Sequence, residues 1–109
     1  MEKFVKGDVV VIPFPFSDLS DSKKRPALVL ADLLGDDILL CQITSQSTKD
    51  SFAVPLLYAD FITGSLPVDS YIRPTRIFTA DKNIIIKKVG QVKPVVVTDA
   101  VNKIINLIR

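Results

Sequence analysis

The hydrophobic residues of this chain fall into short runs that polar or proline-containing segments separate. The first clear run covers residues 9–12, where Val-Val-Val-Ile follows a Gly-Asp pair. A continuous β-branched run after a turn signal is typical of a strand that is buried on both faces. Pro13 and Pro15 then predict that the strand ends, because proline donates no hydrogen bond to a ladder. We therefore expect a first strand over residues 9–12 and a polar loop over residues 17–24.

Further apolar runs predict a series of short strands along the rest of the chain. The runs at residues 26–31 and 38–43 flank Gly-Asp-Asp at 35–37, which favours a hairpin. The run at residues 52–56 contains Pro55, and a proline within a strand indicates a sheet edge. A turn is expected at Thr-Gly-Ser 63–65, and three more strands are expected at residues 70–73, 76–79 and 84–90.

The period of the apolar residues changes after Lys93. Pro94 suits the first turn of a helix, and apolar residues then recur at the spacing of one helix face: Val97, Ala100, Val101, Ile104, Ile105 and Ile108. Many short strands and one terminal amphipathic helix predict a mainly β (α+β) domain over residues 1–109, a small and partly closed antiparallel barrel on which the helix packs.

Composition removes several classes of chemistry. The 109 residues include no histidine, no tryptophan and a single cysteine, Cys41. These counts exclude Ser-His-Asp and Cys-His catalytic sites, a His/Cys zinc site and an intrachain disulfide. No segment is typical of a signal peptide or of a membrane span of about 20 apolar residues. We therefore expect a soluble cytoplasmic protein with no bound metal, no cofactor and no membrane association.

The charged residues are unevenly distributed, although the net charge is only +2. Acidic residues concentrate at Asp32, Asp36 and Asp37. Basic residues form one group at residues 23–25 and a second group of six, Arg73, Arg76, Lys82, Lys87, Lys88 and Lys93. The fold could bring these two groups together as a positive face, which would suit an anionic partner.

Two polar positions next to predicted strands are candidates for chemistry. Arg25 stands between a polar loop and the buried strand that begins at Pro26, so a rigid element would hold its guanidinium. The segment Thr-Ser-Gln-Ser-Thr at 44–48 supplies uncharged donors and acceptors where another hydrophobic strand ends. From spacing and composition alone, a solvated charge is the more common explanation for Arg25, and ordinary turn chemistry is the more common explanation for the second segment. Cys41 lies among strand hydrophobes, which predicts a buried and inert thiol.

The order of these segments resembles the MazF/PemK family of toxin-antitoxin ribonucleases. The resemblance rests on Lys-Gly-Asp-Val-Val-Val-Ile-Pro-Phe at 6–14, Lys-Arg-Pro-Ala-Leu-Val-Leu at 24–30 and Ile-Thr-Ser-Gln at 43–46. Asp-Ser at 69–70 and Arg-Ile-Phe-Thr at 76–79 continue the pattern, and the terminal helix is included. It covers nearly the whole chain.

The resemblance implies an SH3-like, CcdB/PemK-like barrel, a homodimer, and inhibition by a cognate antitoxin. It also implies metal-independent cleavage of single-stranded RNA at short sequences, in which the ribose 2′-hydroxyl attacks the adjacent phosphate. At the matching positions, Arg25 and Thr44 would be the catalytic pair. The remaining RNA-binding residues would be Lys23, Lys24, Ser45, Gln46, Ser47, Arg73 and Arg76.

Three points stay open within this interpretation. The loop at residues 17–22 has Ser-Asp-Leu-Ser-Asp-Ser where many family members have a Gly-Ser-Glu-Gln type of sequence, so the target sequence cannot be inferred. Ser45 or Thr48 could share the role given to Thr44. Two other functions fit the same barrel: a protein-binding toxin similar to CcdB, which traps gyrase, and a non-catalytic module that binds nucleic acid or peptide.

Overall fold

The computed structural model describes residues 3–14, 23–46 and 49–109. Within these ranges the chain forms seven strands, two short 3₁₀ helices and one α-helix. The strands are β1 (Asp8–Phe14), β2 (Lys23–Asp32), β3 (Asp37–Thr44), β4 (Val54–Leu56), β5 (Phe61–Gly64), β6 (Ser70–Asp81) and β7 (Lys87–Val92). The 3₁₀ helices are Tyr58–Asp60 and Lys82–Ile84, and the α-helix α1 is Pro94–Ile108.

All seven strands belong to one antiparallel sheet with the order β4-β6-β3-β2-β1-β7-β5. The sheet curls into a half-barrel, and α1 contacts β6 and β4. Strands β4 and β5 form its two edges, as the proline in β4 predicts. The predicted mainly β fold with one C-terminal helix is thus confirmed.

Buried side chains form two clusters, one on each face of the sheet. The helix face carries Val9, Leu28, Cys41, Ile43 and Ile72, which pack with Val96, Val97 and Ala100 of α1. The opposite face carries Phe4, Val10, Ile12, Ala27, Val29, Ile38, Leu40 and Ala80. Successive residues of a strand point to opposite faces, so strands that are buried on both faces show no hydrophobic alternation. This explains the continuous apolar runs in the sequence.

The first strand extends further than its prolines predict. Pro13 belongs to β1 and lies opposite Lys24 of β2. The carbonyl of Val11 accepts a hydrogen bond from the amide of Ile86, so residues 11 and 13 direct their backbone polar groups toward β7 rather than β2. Pairing with β7 ends at Val11. Pro13 therefore removes no hydrogen bond from the ladder, and the strand continues.

Three other predictions about strands are wrong. The expected strands at 70–73 and 76–79 are parts of the single strand β6. The expected strand at 84–90 begins later, at Lys87, because residues 82–84 form a 3₁₀ turn. Strand β5 was not expected at all, since Thr-Gly-Ser at 63–65 predicted a turn where Thr63 and Gly64 pair with β7.

The predicted helix is confirmed, but the sheet does not cover all of its apolar face. Val97 and Ala100 are buried, and Val96 joins them. Ile105 and Ile108 are exposed, because they lie in the last turn. Nowhere in the described part of the chain is a helix both long and apolar enough to cross a membrane.

Candidate active site

The basic residues 23–25 lie in a strand and not in a loop. Strand β2 begins at Lys23, and Arg25 is paired with Ile12 in the centre of β1. Strand β2 therefore includes Lys23 and Lys24, which were predicted to lie in the polar loop at 17–24, and residues 17–22 lie outside the described ranges. A residue inside an antiparallel ladder has a fixed backbone, so Arg25 is held more firmly than a loop would hold it.

Arg25 and Thr44 share one face of the sheet. The ladder between β2 and β3 ends at the pair Ala27–Gln42, and Arg25 and Thr44 each lie two residues beyond it on their own strands. Alternation puts both on the face that carries Ala27, opposite to the helix. The two predicted catalytic residues therefore lie on the same face and at the same end of the β2–β3 hairpin.

A cavity of about 380 Å³ is lined by Arg25 but not by Thr44. By strand alternation, Lys24, Pro26, Ile43 and Ser45 of its lining belong to the helix face, opposite to the face that carries Arg25 and Thr44. The polar lining of the cavity consists of Lys24, Arg25, Ser45, Ser65, Ser70 and Lys87. Its apolar lining includes Pro26 and Ile43 and the loop residues Leu66, Pro67 and Val68. Three basic and three hydroxyl-bearing residues line the cavity together with apolar residues. Such a lining suits a ligand that combines negative charge with flat hydrophobic surface.

Lys87 is the charged residue of this cavity that the sequence did not predict as part of a site, and the same holds for the uncharged Ser65 and Ser70. Lys87 was noted among the basic residues but not as part of a site. In the sheet, Lys87 lies opposite Val11, and Val11 lies opposite Pro26, which directly follows Arg25. Only the pairing of β1 with both β2 and β7 makes these positions neighbours. No local signal in the sequence distinguishes Lys87 from the adjacent Lys88.

The segment that follows β3 begins with a turn. The Thr44 hydroxyl accepts a hydrogen bond from the backbone amide of Gln46 at 3.2 Å. Ser45 and Gln46 are both exposed, and Ser45 lines the cavity. The predicted contact at Ser47, and the alternative role for Thr48, lie outside the described residues. Residues 44–46 therefore form a local turn, and two of them are exposed.

Arg73 and Arg76 lie in a large bulge of β6. Ile43 pairs with Ile72 and Cys41 pairs with Ile77, so residues 73–76 all face the single residue Gln42. From inside the sheet, the Cys41 thiol donates to the Arg73 carbonyl, with Sγ and O 3.0 Å apart. Burial raises the pKa of this thiol to about 12, as expected of an inert cysteine. The bulge lies beside the end of β3.

Asp50 contacts this bulge from the other side. Its Oδ2 accepts a hydrogen bond from Thr75 Oγ1 at 3.0 Å and lies 3.6 Å from Arg73 Nε. Its Oδ1 accepts from the backbone amide of Phe52 at 2.9 Å. The hydrogen bond from Phe52 is the main reason why the pKa of this carboxyl lies below its ordinary value near 3.8. Arg73 is therefore part of an ion pair and not an isolated surface charge.

Positive and negative charges occupy opposite ends of the β2–β3 hairpin. Lys82 Nζ lies 2.5 Å from Asp32 Oδ1 and donates to the Gly35 carbonyl at 2.9 Å. It therefore binds the acidic turn, by which we mean residues 32–37, from the end of β2 to the start of β3. Arg25 stands seven residues before Asp32, about 23 Å away at the usual rise of a strand. Of the basic residues predicted to form a positive face, Lys24, Arg25 and Lys87 line the cavity and Lys82 does not. Among the described residues, no three acidic or sulfur-bearing side chains come together as metal ligands.

Comparisons with known proteins agree with this architecture. The family model described as PemK-like, MazF-like toxin of type II toxin-antitoxin system matches residues 5–108. No curated protein sequence matches the chain.

Solved structures with similar folds include the MazE–MazF complex from Deinococcus radiodurans, with 19% identity, a TM-score of 0.77, and coverage of 95% of this chain and 94% of that one. A mycobacterial endoribonuclease in complex with its cognate antitoxin has 15% identity, a TM-score of 0.73, and coverage of 97% and 93%. The Mycobacterium tuberculosis toxin MazF-mt6 has 17% identity, a TM-score of 0.69, and coverage of 91% and 93%. At these identities the likeness establishes the fold.

Proposed function

The chain belongs to the PemK-like, MazF-like toxins of type II toxin-antitoxin systems, and we propose that it is a sequence-specific endoribonuclease that cleaves single-stranded RNA in the cytoplasm without a metal ion. The observation that carries the proposal is the placement of Arg25 and Thr44 on one face at the same end of the β2–β3 hairpin, next to a cavity that Lys24, Arg25 and Lys87 line. The endoribonuclease named among the structural neighbours supports the same activity.

The reaction we propose uses a nucleophile that RNA itself supplies. The ribose 2′-oxygen forms a bond to the adjacent phosphorus as its proton leaves, and the bond from phosphorus to the 5′-oxygen breaks. The departing 5′-oxygen takes up a proton. The products are a 2′,3′-cyclic phosphate and a 5′-hydroxyl, and neither histidine nor an enzyme nucleophile is required.

Arg25 would stabilise the negative charge that develops on the phosphoryl oxygens. A guanidinium can donate to two such oxygens through its planar fork. An unperturbed arginine has a pKa above about 12, so electrostatic stabilisation suits it better than proton transfer. The ladder positions of Arg25 mean that little reorganisation would accompany the reaction, which favours this role.

Thr44 would orient the attacking hydroxyl or donate to a phosphoryl oxygen. Its hydroxyl already accepts a hydrogen bond from the Gln46 amide, which leaves its proton free to point elsewhere. Lys23, Lys24, Ser45, Gln46, Ser47, Arg73 and Arg76 remain the proposed RNA-binding residues, and we add Lys87. Contacts to phosphate from lysine and arginine fix the register of a strand, while hydroxyl and amide groups can read base edges.

The family also implies partners for this chain. We propose that it forms a homodimer and that a cognate antitoxin inhibits it by covering the RNA site. The complexes with MazE and with a cognate antitoxin among the structural neighbours support the second proposal. Light scattering of the purified protein, alone and with the co-expressed antitoxin, tests both.

The central experiment incubates the purified protein with a long unstructured RNA in EDTA and maps the fragment ends. We expect discrete cuts with 5′-hydroxyl ends, because the chemistry needs no metal. Arg25→Ala and Thr44→Ala should each lower the rate about 10² to 10³-fold, which is typical for the loss of one donor at a transition state. Absence of cleavage by folded wild-type protein across varied RNAs would favour a binding module or a protein-targeted toxin.

Binding is tested separately with Lys87→Ala and its matched control Lys82→Ala. Both remove one lysine, but Lys82 is engaged at the acidic turn and Lys87 lines the cavity. In fluorescence anisotropy with a non-cleavable RNA, we expect Lys87→Ala to weaken binding and to reduce the salt slope by about 0.7, the value for one phosphate contact on a single strand. Lys82→Ala should leave both unchanged. Equal effects of the two variants would contradict the proposed RNA path.

A further inference from the structure

The β6 bulge needs contacts other than strand pairing to fix its position. Residues 73–76 oppose only Gln42, so most of this segment cannot join the regular ladder with β3. Two of its four residues are arginines that the sequence resemblance assigns to RNA. A guanidinium at the end of a long side chain is useful for positioning RNA only where the backbone that carries it is fixed.

One carboxylate joins this bulge to the turn that precedes β4. Asp50 accepts from the amide of Phe52, and its own carbonyl accepts from the amide of Ala53 at 3.1 Å, so the turn is closed twice. Strand β4 then starts with Val54 opposite Ile72, directly before the bulge. Asp50 is therefore attached to a turn whose position relative to β6 is set by the sheet.

From this turn, the second oxygen of Asp50 reaches the bulge at two points. Thr75 Oγ1 donates to it at 3.0 Å, and Arg73 Nε lies 3.6 Å from it. The 3.6 Å separation is an ion pair without a direct hydrogen bond at Nε. Only 10% of the Asp50 side chain is exposed, whereas Thr75 is an exposed residue. The Cys41 thiol holds the carbonyl of Arg73 from the other side.

We propose that Asp50 is a positioning residue of the RNA site: its carboxylate holds the β6 bulge, and with it Arg73, beside the end of β3. This role rests on the proposed ribonuclease function. It acts on RNA through Arg73 and Thr75, the two bulge residues that its carboxylate contacts. The negative charge of Asp50 also balances the positive charge of Arg73, which limits indiscriminate attraction of phosphate.

Three variants separate hydrogen bonding from charge. Thr75→Val removes one hydroxyl at nearly constant shape, and Asp50→Ala removes every contact of the carboxylate. Asp50→Asn can still accept from Phe52 and can donate to Thr75, so it loses mainly the charge. The matched control is Asp60→Ala, because Asp60 also caps a turn by accepting from a backbone amide, that of Leu57, at 2.7 Å, and it does not touch the bulge.

We expect kcat to fall while the unfolding midpoint changes little. With an RNA that contains one mapped cleavage site, Thr75→Val and Asp50→Ala should lower kcat about 10-fold, since small displacements at a site of this kind are costly. Asp50→Asn should keep more of kcat and bind RNA more tightly at low salt, because one negative charge is gone. Asp60→Ala should cleave like the wild type at a similar unfolding midpoint.

Amide hydrogen exchange provides a readout that does not depend on cleavage. The amides of Ile72 and Ile77, which flank the bulge in the ladder, should lose protection in Thr75→Val and Asp50→Ala, and keep it in Asp60→Ala. If the Asp50 and Thr75 variants fold and keep the wild-type kcat, KM and exchange, the proposal is overturned. The ribonuclease function would still stand in that case if Arg25→Ala lost cleavage. A wild-type protein that cleaves no RNA would refute the ribonuclease function and with it this role, even if exchange confirmed the contact.

Discussion

Lys88 Nζ lies 3.3 Å from Oδ1 of Asp8, a carboxylate that has no exposed surface. The same oxygen accepts from Gln91 Nε2 at 3.2 Å, and Oδ2 accepts from the backbone amide of Val5 at 2.9 Å. Asp8 begins β1, and Lys88 and Gln91 belong to β7. Val5 lies in the segment that precedes β1. One buried side chain therefore fixes the N-terminal segment to the start of the sheet.

Replacing Asp8 with alanine should destabilise the protein by about 2 to 3 kcal/mol, because buried donors lose a charged acceptor. Urea unfolding monitored by circular dichroism measures the change. Asp60→Ala serves as the control, since it removes an exposed turn cap and should cost about 1 kcal/mol or less. Equal losses in the two variants would mean that the contacts of Asp8 add nothing beyond a local cap.

Gly64 should be far less tolerant of alanine than Gly35. Both have positive φ, 67° for Gly64 and 84° for Gly35. A Cβ at Gly64 would lie 2.0 Å from the Val89 carbonyl oxygen, whereas a Cβ at Gly35 would meet nothing within 4 Å. Strain alone costs about 1 to 2 kcal/mol, so Gly35→Ala should lose that amount. Gly64→Ala should lose about 3 kcal/mol or more, because the β5–β7 pairing must also separate.

Thermal and urea unfolding of the two glycine variants check this expectation. A separation of the two midpoints in the predicted order supports the close approach of β5 and β7. Similar stabilities would indicate that the β5 edge adapts without loss.

The Cys41 thiol should resist labelling in the native protein. Burial raises its pKa to about 12 from an ordinary 9.0, and the thiolate is the reactive form. A thiol reagent at pH 8 should therefore modify Cys41 only as fast as the protein opens, and rapidly in denaturant. Labelling at the rate of the unfolded chain under native conditions would show that the thiol is accessible.

The same pKa shift predicts a change in stability at alkaline pH. The folded state holds the protonated thiol, so its contribution to stability is complete below pH 9, where the unfolded thiol is also protonated. It is lost as the pH rises toward 12. Comparison with Cys41→Ala isolates this contribution, since the variant lacks the thiol and should lose less stability over that range.

Local sequence patterns predicted the elements whose signals are local. The run at 26–31, the turn at Gly35 and the run at 38–43 gave the β2–β3 hairpin, because both strands are buried on two faces and close through a short turn. The periodicity after Pro94 gave α1. These features depend on residues that are close in the chain.

Elements that depend on distant partners were predicted poorly. Strand β5 carries a Thr-Gly-Ser turn signal, yet it pairs with β7 because glycines at 64 and 90 let the two backbones approach. The sequence predicted two strands in place of β6, because the bulge at 73–76 interrupts the apolar pattern. In each case a partner strand more than twenty residues away decides the outcome.

The sequence by itself determined the chemical repertoire of this protein and, through the order of its motifs, a family resemblance that points to Arg25 and Thr44. Composition is independent of conformation, so the absence of histidine and the presence of a single cysteine hold in any fold. Tertiary structure alone decided which residues surround those two positions. Lys87 lines the cavity, Lys82 serves the acidic turn and Asp50 holds the β6 bulge because antiparallel register, which is set by pairing between distant segments, determines which side chains meet.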